Sequence, residues 1–287
     1  MGELTADVEH HWVPLDRIKS GSYALISESA QSDTAVVFVH GFLGDASGTW
    51  LNFQEMIDSC RMTYPGWAMC DAFFFHYSSF RQSITDSAEE LISFVRAVFP
   101  NPPGWIFSVP QPFRELRALL VLRLRMRRYK RLVLVGHSEG AVVIRRAVVL
   151  EYKRKNGGTP ILDAKLALFA PAHLGFTPSG WVGACLATGR VEAIAMMILA
   201  SSPSFVEMKD KAFLEQIRQD TNAFLQESPD LSGLRARVLF GRGERIVVRG
   251  EYTRDFPEMP EPNQDHVSIC KPRTGYERPL RFVLELP

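Results

Sequence analysis

The sequence predicts an α/β fold with a mostly parallel central sheet and helices on both of its faces. Short apolar runs alternate along the chain with longer segments of helical periodicity, which is the pattern of successive βα units. The runs near residues 35–39 and 132–135 are apolar without alternation, as expected for strands covered on both sides. The chain has 287 residues and shows no internal repeat or interdomain linker. We therefore expect residues 1–287 to form a single domain.

The predicted elements follow one another in the order that such a fold requires. Strands are predicted near residues 11–15, 23–27, 35–39, 69–75, 132–135, 166–169 and 237–240. Helices are predicted near residues 53–59, 85–98, 113–126 and 209–226, and directly after Ser138. The first two strands are expected to form an antiparallel hairpin at one edge of the sheet.

Composition argues against several classes of partner and cofactor. The formal net charge is +1 at pH 7, so the charge gives no reason to expect a nucleic acid as binding partner. The four cysteines lack a Cys-x-x-Cys spacing, which argues against zinc or a redox pair, and we expect neither metal nor cofactor. Free thiols are favoured over a disulfide between Cys60 and Cys70. The first residues are acidic without an apolar core, so we expect no signal peptide and a cytoplasmic location.

The most informative motif is Gly-x-Ser-x-Gly at residues 136–140, between an apolar run and a helical segment. In that context the motif predicts a nucleophile elbow, a sharp turn that exposes the hydroxyl of Ser138 at the end of a strand. Glycine at positions 136 and 140 lets strand and helix pass close to the turn because it has no Cβ. The alternative is an ordinary strand-to-helix turn in which Ser138 is only the N-cap.

A second loop follows the run at residues 35–39 and reads His40-Gly41-Phe42-Leu43-Gly44. Acyl-transfer chemistry needs two hydrogen-bond donors where the tetrahedral intermediate develops its negative oxygen. The backbone N–H groups of Phe42 and Glu139 are our candidates for this oxyanion hole. The alternative is a plain glycine turn whose loop is capped by His40.

A nucleophilic serine also needs a base, and the base needs a carboxylate that orients it. His266 is our candidate base because it comes late in the chain. His173, the rival, leaves no room for an acid-bearing strand after Ser138. Glu244, which follows an apolar run and a glycine turn, is our candidate acid. The alternative acids are Asp255 and Asp265.

These motifs resemble the α/β-hydrolase superfamily. The late run Asp-His-Val-Ser-Ile-Cys-Lys-Pro at residues 265–272 and the loop Pro-Ala-His-Leu-Gly at residues 171–175 add to the resemblance. Within the superfamily the chain is most similar to the serine esterase and lipase group that includes the GPI inositol-deacylase-like proteins. The resemblance covers roughly residues 34–272 and implies an α/β-hydrolase fold and serine-based acyl chemistry.

The chain departs from that group's pattern at two positions. Many relatives carry Asp where Glu244 stands, although Glu is a competent orienting group. The residue after the serine is the charged Glu139, where an uncharged residue is more usual. We expect its carboxylate to place negative charge near the pocket and to disfavour acyl groups that are themselves anionic.

A helical lid or cap insertion is predicted at residues 171–230, after the strand that follows the elbow. Its segment 181–200 is apolar apart from Arg190 and Glu192 and is either a lid or a buried helix. We expect Phe42, Phe176 and Trp181 to line the substrate pocket. The basic run at residues 114–131 is expected to be a solvated face, and contact with a membrane surface is the less favoured alternative.

Taken together, the motifs predict a serine hydrolase that cleaves small-molecule or lipid carboxylic esters with Ser138, His266 and Glu244. The same residues would also suit a thioesterase, an amidase or an acyltransferase. A binding or scaffold protein on the same fold is the alternative of a different class, and such a relative would often lack the serine or the histidine.

Overall fold

The computed structural model describes residues 10–29, 32–60, 63–106, 127–154, 159–177, 201–250 and 252–285. The strands are β1 (His10–Pro14), β2 (Tyr23–Ser27), β3 (Thr34–Val39), β4 (Cys70–Phe75), β5 (Arg131–His137), β6 (Lys165–Phe169), β7 (Arg237–Leu239) and β8 (Phe256–Pro257). The α-helices are α1 (Ala46–Ser59), α2 (Ile84–Val98), α3 (Glu139–Lys153), α4 (Pro203–Lys209), α5 (Lys211–Glu227) and α6 (Arg278–Leu284). Short 3-10 helices lie at Pro65–Met69, Gly104–Ile106, Pro160–Asp163, Pro229–Leu234 and Ser268–Cys270.

The strands form one sheet in the order β1-β2-β4-β3-β5-β6-β7-β8. Strand β2 is antiparallel to both of its neighbours, and every later pair in this order is parallel. This mostly parallel sheet with its helical crossovers has the α/β-hydrolase fold, so the predicted fold class is confirmed. The expected antiparallel hairpin at the edge is also present.

The centre of the sheet is covered on both sides, which explains its apolar sequence. Strands β3 and β4 are buried along their whole length. The ring of Phe38 lies 5.0 Å from that of Trp50 in α1 and 4.8 Å from that of Phe74 in β4. Truncating such a buried ring to alanine typically costs about 3–5 kcal/mol. This packing anchors the end of β3, which leads directly into the loop at residues 40–44, the Gly41 loop.

Aspartate caps set where two of the helices begin. Helix α1 begins at Ala46 rather than near residue 53, because the Asp45 carboxylate accepts hydrogen bonds from the N–H groups of Ser47 and Gly48. The helix predicted at 209–226 is present as α5, which begins two residues later, and a separate short helix that was not predicted, α4, precedes it. Asp210, with φ −76° and ψ 98°, ends α4 and caps α5.

Two elements near the C-terminal end of the chain were not predicted. Strand β8 has only two residues, too few to show a periodic pattern. Helix α6 begins with Pro279 in its first turn, where the missing N–H costs nothing, and it buries Leu280, Phe282 and Val283.

Several sequence-based expectations fall partly or wholly outside the described residues: the helix at 113–126, the segment 181–200, Trp181 and Cys185. At the end of the basic run, Arg127 is buried rather than solvated, and its Nε lies 3.2 Å from Oδ2 of Asp71. Cys60 and Cys70 are both free thiols, so the alternative of a disulfide between them is wrong. In the part of the chain that is described, no helix is both long and apolar enough to span a bilayer.

Candidate active site

Ser138 lies on the turn between β5 and α3 in a strained backbone conformation. Its φ is 55° and its ψ is −120°, a region that residues with a side chain rarely adopt. A Cβ added to Gly136 would lie 2.8 Å from Cα of Ala141, and one added to Gly140 would lie 2.3 Å from the carbonyl oxygen of His40. Both positions therefore require glycine. The Ser138 hydroxyl makes no capping hydrogen bond, so the alternative of a simple N-cap is wrong.

His266 is the histidine that faces Ser138. Its Nε2 lies 3.0 Å from Oγ of Ser138, although the two residues are 128 positions apart in the chain. The rival, His173, is fully buried and stacks on the ring of Tyr252 at a centroid distance of 4.2 Å. Its ring nitrogens make no hydrogen bond among the described residues. The structure thus brings His266, and not His173, to the serine hydroxyl.

Glu244 lies on the other side of the His266 ring. Its Oε2 is 2.9 Å from Nδ1 of His266, and its Oε1 accepts backbone hydrogen bonds from Ile246 at 2.8 Å and Val247 at 3.1 Å. Burial raises the pKa of the Glu244 carboxyl, but the hydrogen bonds and charge of His266 and these two N–H groups outweigh burial and lower it below its usual value. The group is therefore a carboxylate at neutral pH.

The two alternative acids are engaged elsewhere. Asp255 forms a fully buried ion pair with Arg145 in α3 and accepts a hydrogen bond from the N–H of Ala236 at 3.0 Å. Asp265 caps the turn that follows it, because its Oδ1 accepts from the N–H of Ser268 at 2.8 Å. Among the described residues, neither carboxylate forms a hydrogen bond or an ion pair with the imidazole of His266.

The loop after β3 lies against the elbow because β3 and β5 are neighbours, with Val39 opposite Gly136. A Cβ added to Gly41 would lie 2.9 Å from Cβ of Ser138. The Gly41 carbonyl accepts hydrogen bonds from Nδ1 of His40 at 2.9 Å and from the N–H of Gly44 at 3.0 Å. In a planar trans peptide the N–H of Phe42 points away from that carbonyl, so these two bonds fix its direction.

The expectation that Glu139 places a negative charge at the pocket is wrong. Its side chain is fully buried, and Oε1 lies 3.1 Å from the hydroxyl of Tyr77. Burial raises the pKa of Glu139 to about 8, and the nearby hydroxyls of Tyr77 and Ser204 offset only part of that effect. At pH 7 the carboxyl is mostly neutral, so its charge gives no reason to expect discrimination against anionic acyl groups.

Three phenylalanines meet beside the Gly41 loop. The ring of Phe42 lies 6.5 Å from that of Phe176 and 5.9 Å from that of Phe205, which is in the first turn of α4, and the rings of Phe176 and Phe205 are 6.1 Å apart. Two of these were expected from the sequence. Phe205 was missed because no motif marks it.

The arrangement joins a hydroxyl, an imidazole and a carboxylate in one hydrogen-bonded row. Such a row can remove the hydroxyl proton and leave the oxygen as a nucleophile. Among the described residues, no group of three or more His, Cys, Asp or Glu side chains could hold a metal ion.

Comparisons with known proteins give only weak similarities. No family model and no curated protein matches the chain. The solved structures that it resembles include phospholipase PlaB from Legionella pneumophila, at 17% identity and a TM-score of 0.46, covering 73% of this chain and 38% of that one. Carboxylesterase CesB from Bacillus subtilis has 11% identity and a TM-score of 0.48, covering 98% and 93% of the two chains. Esterase Pf2001 from Pyrococcus furiosus has 15% identity and a TM-score of 0.46, covering 96% and 91%.

The chain thus spans about two fifths of the length of the phospholipase chain. The fold is established by the chain's own sheet order and by the strand-turn-helix unit at Ser138.

Proposed function

We propose that this protein is a serine hydrolase that cleaves carboxylic esters through an acyl-enzyme intermediate. The single observation that carries the proposal is the row from Oγ of Ser138 to Nε2 of His266 at 3.0 Å and from Nδ1 of His266 to Oε2 of Glu244 at 2.9 Å. A hydroxyl in such a row becomes nucleophilic at neutral pH because the imidazole takes its proton.

Each residue then has one role in the reaction. Oγ of Ser138 bonds to the ester carbonyl carbon as its proton passes to Nε2 of His266. The tetrahedral intermediate collapses, the C–O bond breaks, and the same proton goes to the leaving alkoxide. Water repeats the sequence on the acyl-enzyme and releases the acid. Glu244 keeps Nδ1 protonated and stabilises the imidazolium.

The backbone N–H groups of Phe42 and Glu139 would hold the negative oxygen of both tetrahedral intermediates. Support comes from the contact between the Gly41 loop and Ser138 and from the bonds that orient the peptide between Gly41 and Phe42. One such donor is typically worth about 10²–10³ in kcat.

The acyl group would lie against Phe42, Phe176 and Phe205, whose rings form an apolar wall beside the loop. We propose a small-molecule or lipid ester as substrate, as the resemblance to the GPI inositol-deacylase-like serine esterases implies. Trp181 stays a proposed pocket residue, and a lid within residues 171–230 stays a proposal. Thioester, amide and acyl-transfer chemistry would use the same row.

A fluorophosphonate probe tests the proposal directly, because it reacts covalently with an activated serine and needs no knowledge of the substrate. We expect the wild type to be labelled at Ser138 and to hydrolyse p-nitrophenyl esters. Matched thioester and anilide substrates separate the related acyl chemistries. A folded protein that is neither labelled nor active would favour the binding or scaffold role instead.

A further inference from the structure

The side chains of Tyr77 and Glu139 lie buried between the two loops that the proposed function uses. The Tyr77 hydroxyl is 2.9 Å from the carbonyl oxygen of His40 and 3.1 Å from Oε1 of Glu139. The Tyr77 ring also stacks on the His40 imidazole at a centroid distance of 4.3 Å, and its N–H donates to Nε2 of His40 over 3.3 Å. Tyr77 therefore holds the residue from which the Gly41 loop departs.

The proton count of this contact favours the neutral acid form of Glu139. A tyrosine hydroxyl has one hydrogen, and the carbonyl of His40 can only accept. If Tyr77 donates to His40, its oxygen must accept from Glu139, which requires the neutral acid. The other carboxyl oxygen, Oε2, is buried and has no hydrogen-bond partner among the described residues, which also disfavours a charge there.

Among the described residues, the groups around Glu139 do not supply a compensating cation. Tyr77 faces it from the segment after β4, and Ser204 and Glu207 face it from α4. The backbone of His40 closes the side toward β3, and burial lowers the pKa of its imidazole to about 4, so that ring is neutral. The charge of Arg146 favours ionisation of Glu207, not of Glu139. The negative charge of Glu207 in turn opposes ionisation of Glu139.

We propose that the neutral carboxyl of Glu139 and the hydroxyl of Tyr77 form a positioning bridge that sets the distance between the two backbone donors of the oxyanion hole. One donor is the N–H of Glu139 itself, and the other, on Phe42, lies two residues after the bridged carbonyl of His40. This inference rests on the proposed function and adds two side chains that neither touch substrate nor move a proton in the reaction.

The bridge makes the oxyanion hole dependent on pH. When Glu139 ionises, the single hydrogen of Tyr77 is drawn to the carboxylate and the bond to His40 is lost. A negative charge then lies on the residue next to Ser138, where it opposes the developing oxyanion. Tyr77 itself does not titrate in this range, because burial raises its pKa well above the usual value.

The test measures the second-order rate of fluorophosphonate labelling, and kcat for p-nitrophenyl butyrate, between pH 6 and pH 10. The proteins are the wild type, Glu139→Gln and Tyr77→Phe. The amide of Glu139→Gln donates to Tyr77 but cannot ionise, and Tyr77→Phe keeps the ring stack but removes the hydroxyl.

We expect the wild-type labelling rate and kcat to fall by about fivefold or more between pH 7 and pH 9.5, while each value for Glu139→Gln stays within about twofold of its own value at pH 7. We expect Tyr77→Phe to lower kcat at pH 7 by about tenfold with little change in KM, since an oxyanion hole acts mainly in the transition state.

Three outcomes would overturn parts of this account, and they are distinguishable. A labelled wild type whose alkaline decrease is shared by Glu139→Gln overturns the bridge and leaves the proposed function intact. A Tyr77→Phe variant that melts at a lower temperature but keeps the wild-type kcat and pH profile would show that Tyr77 has only a structural role. That result also overturns the bridge. A folded wild type that is not labelled at any pH overturns the proposed function, and the bridge with it.

Discussion

Nε2 of His137 lies 2.7 Å from the backbone carbonyl oxygen of His266 and donates a hydrogen bond to it. Burial, together with neighbouring His266, lowers the pKa of His137 to about 3, so its ring is neutral. The residue before the serine therefore holds the loop that carries the candidate base. Sequence reasoning treated His137 only as part of the elbow, because nothing local shows that a loop 129 residues later returns to it.

Replacing the candidate nucleophile gives the most direct prediction. We expect Ser138→Ala to abolish fluorophosphonate labelling and to lower kcat by about 10⁴ or more, because the members of such a row act as a unit. Labelling is followed by gel fluorescence and peptide mass spectrometry. The control is Ser93→Ala, an exposed serine of α2, which should behave as the wild type. Persistent labelling at another serine would show that the nucleophile is misassigned.

The acid is tested by comparing three carboxylates. We expect Glu244→Gln to lower kcat by about 10²–10⁴ with the fold unchanged, because the amide no longer enforces the required protonation of His266. Asp265→Asn, which alters only a turn cap, should retain most of the activity. Asp255→Asn should melt lower, since it leaves Arg145 buried without its charged partner. A large kcat loss in Asp265→Asn with none in Glu244→Gln would mean that the wrong acid was chosen.

The aromatic wall predicts how activity depends on acyl length. For uncharged p-nitrophenyl esters from acetyl to decanoyl, kcat/KM should rise by up to ~0.8 kcal/mol of transition-state stabilisation per buried methylene until the pocket is full. Phe205→Ala should flatten this rise, because it opens the wall. Phe256→Ala, at an exposed ring on β8, is the matched control and should leave the slope unchanged. A flat or falling wild-type series would contradict an acyl pocket at these rings.

The buried acid predicts a pH-dependent difference in stability. The folded pKa of Glu139, about 8, lies above its usual value of 4.5, so folded protein binds the proton more tightly than unfolded chain does. Its contribution to stability is complete below about pH 4.5 and is lost as the pH rises to about 8. We expect Glu139→Gln to have a similar Tm to the wild type at pH 5 and a Tm higher by about 3 °C or more at pH 8.

Scanning calorimetry of both proteins at pH 5, 6, 7, 8 and 9 measures this difference. It should grow up to about pH 8 and then stay constant, since above that pH both folded and unfolded wild type have lost the proton. A difference that is the same at every pH would mean that Glu139 is already ionised in the folded protein.

The sequence by itself determined those parts of the protein that depend on local spacing. The strand-turn-helix at Ser138 follows from two glycines two residues on either side of one serine, and no other residue fits at those positions. The apolar runs without alternation identified the central strands because a strand covered on both faces must be apolar on both. The choice of His266 and Glu244 followed from their order in the chain and the turns that precede them.

Only the tertiary structure decided what depends on residues that are distant in sequence. The 3.0 Å contact between Ser138 and His266 joins positions 128 residues apart, and the neutral state of Glu139 arises from burial against Tyr77 and α4. The sequence favoured a charged Glu139 because a glutamate is ordinarily ionised in water. Burial reverses that preference, since removing a carboxylate from water without a cation costs more than keeping its proton.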